Sequence, residues 1–243
     1  MVCMLDALSW DALDPHGLAG FWGTLLGWPV AEDDEGYVEV RPLDDTGLVL
    51  RFRPTERAKT SKNRTHLDLT SDSLFDQNER VALALSLGAR HIDVGQRPEE
   101  PHVVLADPEG NEFCVIEPGN AFLADCGLVG ALAGDGSQEV GYFWRDVLGW
   151  PLVWDQDLET AIRSPKGGPK LTWGGPPVAP KTGRNRLRFD IATPRDADRR
   201  GELQRLLALG ATRPDAAQDD LAGVALVDPD GNEFCVLERT ERG

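Results

Sequence analysis

The sequence predicts an α+β fold made of two tandem copies of one domain, each copy running β-α-β-β-β twice. Three observations predict it: separated blocks recur at a near-constant spacing, amphipathic helices with capping signals recur inside the repeat, and short alternating strands fill the intervals.

The repeat is read directly. Phe21-Trp22 with Leu26-Gly27-Trp28-Pro29 returns as Phe143-Trp144 with Leu148-Gly149-Trp150-Pro151. Lys59-Thr60 and Lys62-Asn63-Arg64-Thr65-His66-Leu67-Asp68 return as Lys181-Thr182 and Arg184-Asn185-Arg186-Leu187-Arg188-Phe189-Asp190. Asp107-Pro108-Glu109-Gly110-Asn111-Glu112-Phe113-Cys114 returns as Asp228-Pro229-Asp230-Gly231-Asn232-Glu233-Phe234-Cys235. Phe21 and Lys59 each lie 122 residues from their counterparts and Asp107 lies 121 from its own, so one duplication explains all three blocks. The turn-rich Pro118-Gly119-Asn120 marks the boundary, giving domains at 1–119 and 120–243.

Asp14-Pro15 reads as an N-cap followed by proline at the first helical position. Leu18, Phe21, Trp22, Leu25 and Leu26 then form one apolar stripe, and Gly27 suits a left-handed stop. Val140, Phe143, Trp144, Val147 and Leu148 repeat the stripe before Gly149, so these aromatics are read as core residues. Strands are expected at Cys3–Ser9, Gly36–Arg41 and Gly47–Arg53. A second helix is expected over Ser73–Leu87, ended by Gly88, with a counterpart over Pro194–Leu209 ended by Gly210. Strands near Ala89–Val94, His102–Ala106 and Glu112–Ile116 complete the first copy.

Composition excludes several classes. The balance of 25 basic and 41 acidic residues, a net −16, repels polyanions, so neither nucleic acid nor an acidic membrane surface is an expected partner. No apolar run approaches the roughly 20 residues of a membrane span, and the N-terminus lacks a signal-peptide pattern. Cys3, Cys114, Cys126 and Cys235 form no C-x-x-C pair, and Cys114 and Cys235 sit in apolar runs as small hydrophobes. A cytoplasmic protein is expected. The Asp-Pro-x-Gly-Asn-Glu blocks are turns and not calcium loops, and the Gly-Gly-Pro stretches at 167–169 and 174–176 lack the Lys-Ser/Thr of a P-loop. No Ser-His-Asp arrangement supports hydrolysis.

Taken together, the Phe-Trp helix end, the Asn-Arg-x-His-Leu-Asp strand and the Asp-Pro-x-Gly-Asn-Glu-Phe-Cys strand resemble the vicinal oxygen chelate superfamily, which takes in glyoxalases, bleomycin-resistance proteins and extradiol dioxygenases. The resemblance is to its glyoxalase-like, bleomycin-resistance-like branch and covers nearly the whole chain. It implies paired βαβββ units whose mixed sheets curl into cups, with helices on the outer face. It also implies one of two chemistries: a divalent metal held by His, Gln and Glu from several strands, or a metal-free cup that binds small molecules, antibiotics among them.

Carried over by position, His66 matches the histidine ligand and its counterpart Arg188 cannot ligate a metal, because it keeps its proton. The final-strand glutamate aligns with Cys114 and Cys235. The fourth-strand ligand falls near Leu50 or Arg51, and near Thr172 or Trp173 in the second copy. Asp6 is a candidate on the first strand, with Leu128, Val129 and Gly130 in the corresponding stretch. The expectation is therefore no metal and no other cofactor, a divalent cation held by His66, Cys114 and Asp6 in the first domain being the alternative.

His66 is a hydrogen-bonded pocket residue or a general base near neutral pH. Asp68 and Asp190 are read as structural partners of Arg64 and Arg186, pocket carboxylates being the alternative. Trp10, Phe52, Trp154 and Trp173 are expected to rim the cup and, with Asp6, His66, Cys114 and Arg188, to contact ligand, ordinary sheet packing being the alternative for each aromatic. The leading functional reading is a metal-independent protein that binds or sequesters a metabolite or antibiotic. Its rival is a glyoxalase-type lyase or isomerase, or a dioxygenase-like enzyme, acting through His66 with or without a metal; a third is a regulatory partner protein with vestigial pockets. A monomer is expected, with a homodimer as the alternative.

Overall fold

A computed structural model describes residues 2–32, 36–44, 48–97, 99–193, 198–214 and 223–237. Gly47, where one strand was expected to begin, and residues 194–197, where a helix was expected to begin, lie outside the described residues.

Four units follow one another. The first is β1 (Met4–Ala12), α1 (Pro15–Leu26), β2 (Val30–Glu32), β3 (Val38–Val40) and β4 (Leu50–Pro54). The second is β5 (Thr65–Leu69), α2 (Leu74–Ser86), β6 (Arg90–His91), β7 (Val103–Ala106) and β8 (Glu112–Val115). The third is β9 (Val129–Gly134), α3 (Gln138–Leu148), β10 (Leu152–Gln156), β11 (Glu159–Arg163) and β12 (Lys170–Trp173). The fourth is β13 (Leu187–Ala192), α4 (Arg199–Ala208), β14 (Gly223–Val227) and β15 (Glu233–Leu237). A bridge between Thr212 and Val227 stands where the second unit has β6. The helix signals work as read: Asp14 accepts from the Gly17 N–H at 3.0 Å, and Gly27 and Gly149 turn left-handed at φ 67° and 65°.

The strands form two mixed sheets, ordered β14-β15-β13-β1-β4-β3-β2 and β10-β11-β12-β9-β5-β8-β7-β6. Each sheet takes one unit from each copy. The first joins the opening unit of copy one to the closing unit of copy two through the antiparallel pair β1–β13; the second joins the other two through β5–β9. The segments that lead into β5 and β13, residues 57–64 and 179–186, therefore cross from one sheet to the other.

Alternation gives each sheet two chemically different faces. Leu8, Trp10, Leu50 and Phe52 of the first sheet pack with Leu18 and Trp22 of α1, and Leu132, Ile162 and Leu171 of the second join Val140 and Phe143 of α3 in the same core. The opposite faces form the two cups: that of the first sheet carries buried charged side chains, and that of the second carries Val104, Cys114 and Ala131 beside His66 and Asp68.

The repeated motifs meet one another in space. Trp22 Nε1 donates to Asp107 Oδ2 at 3.2 Å, Asn63 Nδ2 donates to Asn111 Oδ1 at 3.0 Å, and Lys59 bonds Glu112 at 2.6 Å. Trp144 with Asp228, Asn185 with Asn232, and Lys181 with Glu233 repeat all three contacts. The recurring residues are thus two copies of one clamp that ties a helix, a turn and a crossover segment together.

Candidate functional site

Strand register explains why the two cups differ. In the first sheet, Glu39, Arg51, Ser9 and Arg188 stand opposite one another in one row across β3, β4, β1 and β13. The matching row of the second sheet is Ala161, Thr172, Ala133 and His66, across β11, β12, β9 and β5. Glu39, Arg51 and Arg188 of one cup are replaced by Ala161, Thr172 and His66 in the other, and Ser9 by Ala133.

The first cup is consequently filled. Arg51 bonds Glu39, Asp190 and Asp6 at 2.8, 2.9 and 2.8 Å, and Arg53 adds a second cation on Asp190 at 2.8 Å. Ser9 Oγ donates to the same carboxylate at 2.5 Å. Arg188 grips Asp11 through two nitrogens at 2.9 and 2.8 Å. Arg51 and Arg188 are each only 2% exposed. Three carboxylates around Arg51 hold its guanidinium firmly charged against the cost of burial.

The second cup stays open at its β5 end. His66 Nε2 lies 3.2 Å from Asp68 Oδ1, and Cys114, opposite Asp68 on β8, completes a cluster whose donor atoms lie within 4.8 Å of one another. Burial, reinforced by the charge of Asp68 and a hydrogen bond to it, pushes the Cys114 thiol far above its ordinary range and keeps it protonated. A cleft of about 1200 Å³ reaches His66, Ala133 and Thr172 from between the two crossover segments. The other end of the cup is closed by the link between the copies: Phe122, Leu123 and Cys126 pack with Val104, Cys114, Ile116 and Ala131. Lys170 donates to the Phe122 carbonyl and sits 4.3 Å from its ring, while Trp154 meets that ring edge-on at 5.8 Å.

The site residues expected from sequence therefore separate into three groups. His66, Cys114 and Trp154 share the face of the second cup, His66 at the cleft and Cys114 and Trp154 at the end that Leu123 and Phe122 close. Asp6 and Arg188 belong to the other, filled cup, so Asp6 does not converge with His66; the exchange of units places them in different sheets. Trp10, Phe52 and Trp173 face the helices. Trp10 stacks on Phe52 at 5.4 Å and touches Trp22 at 5.6 Å, leaving none of the three to rim a cup. The two aspartates also differ from expectation: Asp190 serves Arg51 and Arg53, and Asp68 joins His66 and Cys114, while Arg186 pairs with Glu109 and Arg64 donates to the Asp135 carbonyl. Asp68, preferred from the sequence as a structural residue over a pocket carboxylate, is the site residue that reading missed: its place two residues after His66 puts it on the same face.

Comparison with known proteins adds the family. The sequence matches the glyoxalase-like domain over residues 7–116 and 131–237. The chain belongs to the glyoxalase-like domain family. Among solved structures, glyoxalase I from Zea mays is 14% identical, covers 97% of this chain and 92% of its own, and superposes with a TM-score of 0.65. A putative dioxygenase from Bacillus subtilis subsp. subtilis str. 168 is also 14% identical, with 97% and 84% coverage and a TM-score of 0.59. A comparison with curated proteins finds no match. Among the described residues no helix is long and apolar enough to cross a membrane.

A metal in this glyoxalase-like cup would be held by His66, Asp68 and Cys114. All three come from β5 and β8; the neighbouring strands β9 and β12 offer Ala131, Ala133, the Thr172 hydroxyl and the Lys170 ammonium. The donor set suits a cation that accepts thiolate and imidazole, such as zinc, and differs from a His, Gln and Glu set drawn from several strands. Binding it would first require the Cys114 proton to leave a thiol that its surroundings hold protonated.

Proposed function

We propose that this glyoxalase-like protein binds a small organic molecule in the cup of its second sheet and does so without a metal. The observation that carries the reading is the contrast between matching rows: Glu39, Arg51, Ser9 and Arg188 fill one cup, whereas Thr172, Ala133 and His66 of the other line an open cleft. An alanine and threonine floor gives a flat ligand room to lie along the sheet, and His66 with Asp68 offers it a hydrogen-bonding end. The ligand is a metabolite or an antibiotic. Because each cup already takes both of its halves from one chain, a monomer is sufficient. The filled cup serves stability and not binding.

The convergence of His66, Asp68 and Cys114 favours one second reading, a metal-assisted lyase, isomerase or dioxygenase-like enzyme. When bound, the cation would act as a Lewis acid toward neighbouring oxygens of a substrate. In that reading His66, Asp68 and Cys114 hold the cation, and the alanine floor positions the substrate.

Metal analysis of the purified, untagged protein beside His66→Ala decides between them. No retained zinc, nickel, manganese or iron, even after loading and desalting, together with a thermal shift by small molecules that His66→Ala weakens, is the expected result. Near-stoichiometric metal in the parent and its loss in the variant would overturn the metal-free reading and call for glyoxalase and dioxygenase assays.

A further inference from the structure

The chain carries a net −16, yet the cleft that leads to His66 has the opposite sign. Its walls hold Arg57, Lys59, Lys62, Arg64, Arg184 and Arg186 against two carboxylates, Asp11 and Asp135. Three of these cations are committed to structure: Lys59 to Glu112, Arg186 to Glu109, and Arg184 to Asp11 at 3.6 Å. The other three are not neutralised. Among the described residues the Arg57 guanidinium and the Lys62 ammonium make no hydrogen bond or ion pair, and Arg64 gives one bond to the Asp135 carbonyl while its Nε is buried without a partner. The Asp135 oxygens accept from the Ala179 N–H.

All three surplus cations sit on the first crossover segment, whose course is fixed by the clamp of Lys59 and Asn63 on Glu112 and Asn111. Two residues further on, the same segment delivers His66 to the cup floor. Lys62 stands near enough to Cys114 for its charge to act on the buried thiol. In a protein of this overall charge, unpaired cations along one wall of a recess attract anions locally while the rest of the surface repels them.

Resting on the reading of this cup as a small-molecule site, we infer that its ligand is a small organic anion. Its carboxylate, sulfonate or phosphate group lies against Arg57, Lys62 and Arg64, and its body extends over Ala133 and Thr172 toward His66. Asp68 at the floor favours a neutral or hydrogen-bond-donating group at that inner end. The repulsion of the acidic surface leaves the site to small ligands rather than polyanions.

Two fluorescent probes of one shape separate this class from the underlying reading: 8-anilinonaphthalene-1-sulfonate, which is anionic, and N-phenyl-1-naphthylamine, which lacks the sulfonate. In titrations of the full chain, Arg57→Gln combined with Lys62→Gln is expected to weaken the sulfonate probe about tenfold and leave the neutral probe within about twofold. Salt at 0.5 M is expected to do the same to the parent, since exposed charges are screened within a few ångströms at that strength. Thr172→Trp, with Ala133→Leu as a second way to fill the cleft, is expected to abolish both. If the charge variant changes both probes alike, or neither, the anionic class is overturned while the cup remains a binding site. If neither probe binds the parent, or a folded cleft-filling variant leaves both unaffected, the binding reading itself fails.

Discussion

Trp22 donates its indole N–H to Asp107 across 85 residues of sequence, and Trp144 does the same to Asp228 across 84. Each indole lies within the apolar core while its nitrogen ends on a buried carboxylate that also gathers the backbone of its own turn. Replacing Trp22 by Phe keeps most of the packing and leaves the carboxylate short of one donor. A loss of about 1–3 kcal/mol in urea unfolding is expected, the cost of an unsatisfied buried acceptor. Trp144→Phe should cost a similar amount, and a variant as stable as the parent would show that the bond contributes nothing.

The same carboxylates make stability depend on pH. Burial raises Asp107 from 3.8 to about 6, and Asp228 likewise from 3.8 to about 6. Between those values the folded chain keeps a proton that the unfolded chain has released. Stability from this source is complete below 3.8 and is lost as pH rises through 6. Asp107→Asn removes one such titration, so between pH 5 and pH 7 the parent should lose about 1–2 kcal/mol more than the variant. Urea midpoints at the two pH values check this, and parallel losses would count against it.

In the filled cup, Arg51 answers to Asp6, Glu39 and Asp190 at once. Removing that cation by Arg51→Met leaves buried carboxylates uncompensated and is expected to cost about 3–5 kcal/mol. The matching change in the open cup, Thr172→Ala, should fall within about 1 kcal/mol, as for a half-buried side chain whose hydroxyl makes a long bond, 3.5 Å, to the Leu132 carbonyl. Equal costs would contradict the division of the cups into a structural and a binding one.

Much of this was legible in the sequence. Duplicated blocks fixed the repeat, and Asp14-Pro15 and Gly27 located a helix, because caps and periodicity are local properties. Which units share a sheet was not legible, since pairing β1 with β13 joins residues about as far apart in the chain as the fold allows and no local signal reports it. Asp6 and His66 were grouped for that reason. The aromatics erred differently. Ser9 and Asp11 are polar and Leu8 and Ala12 apolar, so alternation already places Trp10 with the core; a face cannot be assigned without a register, and a slip of one residue reverses it. Phe122 and Leu123, which close one end of the open cup, lie in a turn with no periodicity to announce them.

Thiol chemistry offers an independent check on the cup floors. Burial is the first cause that raises the thiols of Cys3, Cys114 and Cys235, Cys3 and Cys235 to about 12, and only Cys126 is partly exposed. Thiolate is the species that attacks aromatic disulfide reagents, so one thiol should react rapidly in the native protein and the other three only on unfolding. Cys126→Ser should remove the fast phase. A fast phase that survives it would place a reactive thiol where the structure has a buried one.

Conversion of the open cup into the filled one tests the row comparison most directly. Thr172 occupies the place of Arg51 and Ala161 that of Glu39, while Asp68 already stands where Asp190 does. Thr172→Arg alone puts a guanidinium beside Asp68 with no second carboxylate from β11, and a loss of about 2 kcal/mol or more is expected from incomplete pairing. Adding Ala161→Glu supplies the missing partner and should recover most of that loss, a coupling measurable as a double-mutant cycle by urea unfolding. In the double variant the row from β11 to β5 would be occupied as it is in the first sheet, and binding of the naphthyl probes should disappear with the restored stability. Additive effects, or full probe binding in a stable double variant, would mean that something other than this row keeps the second cup open.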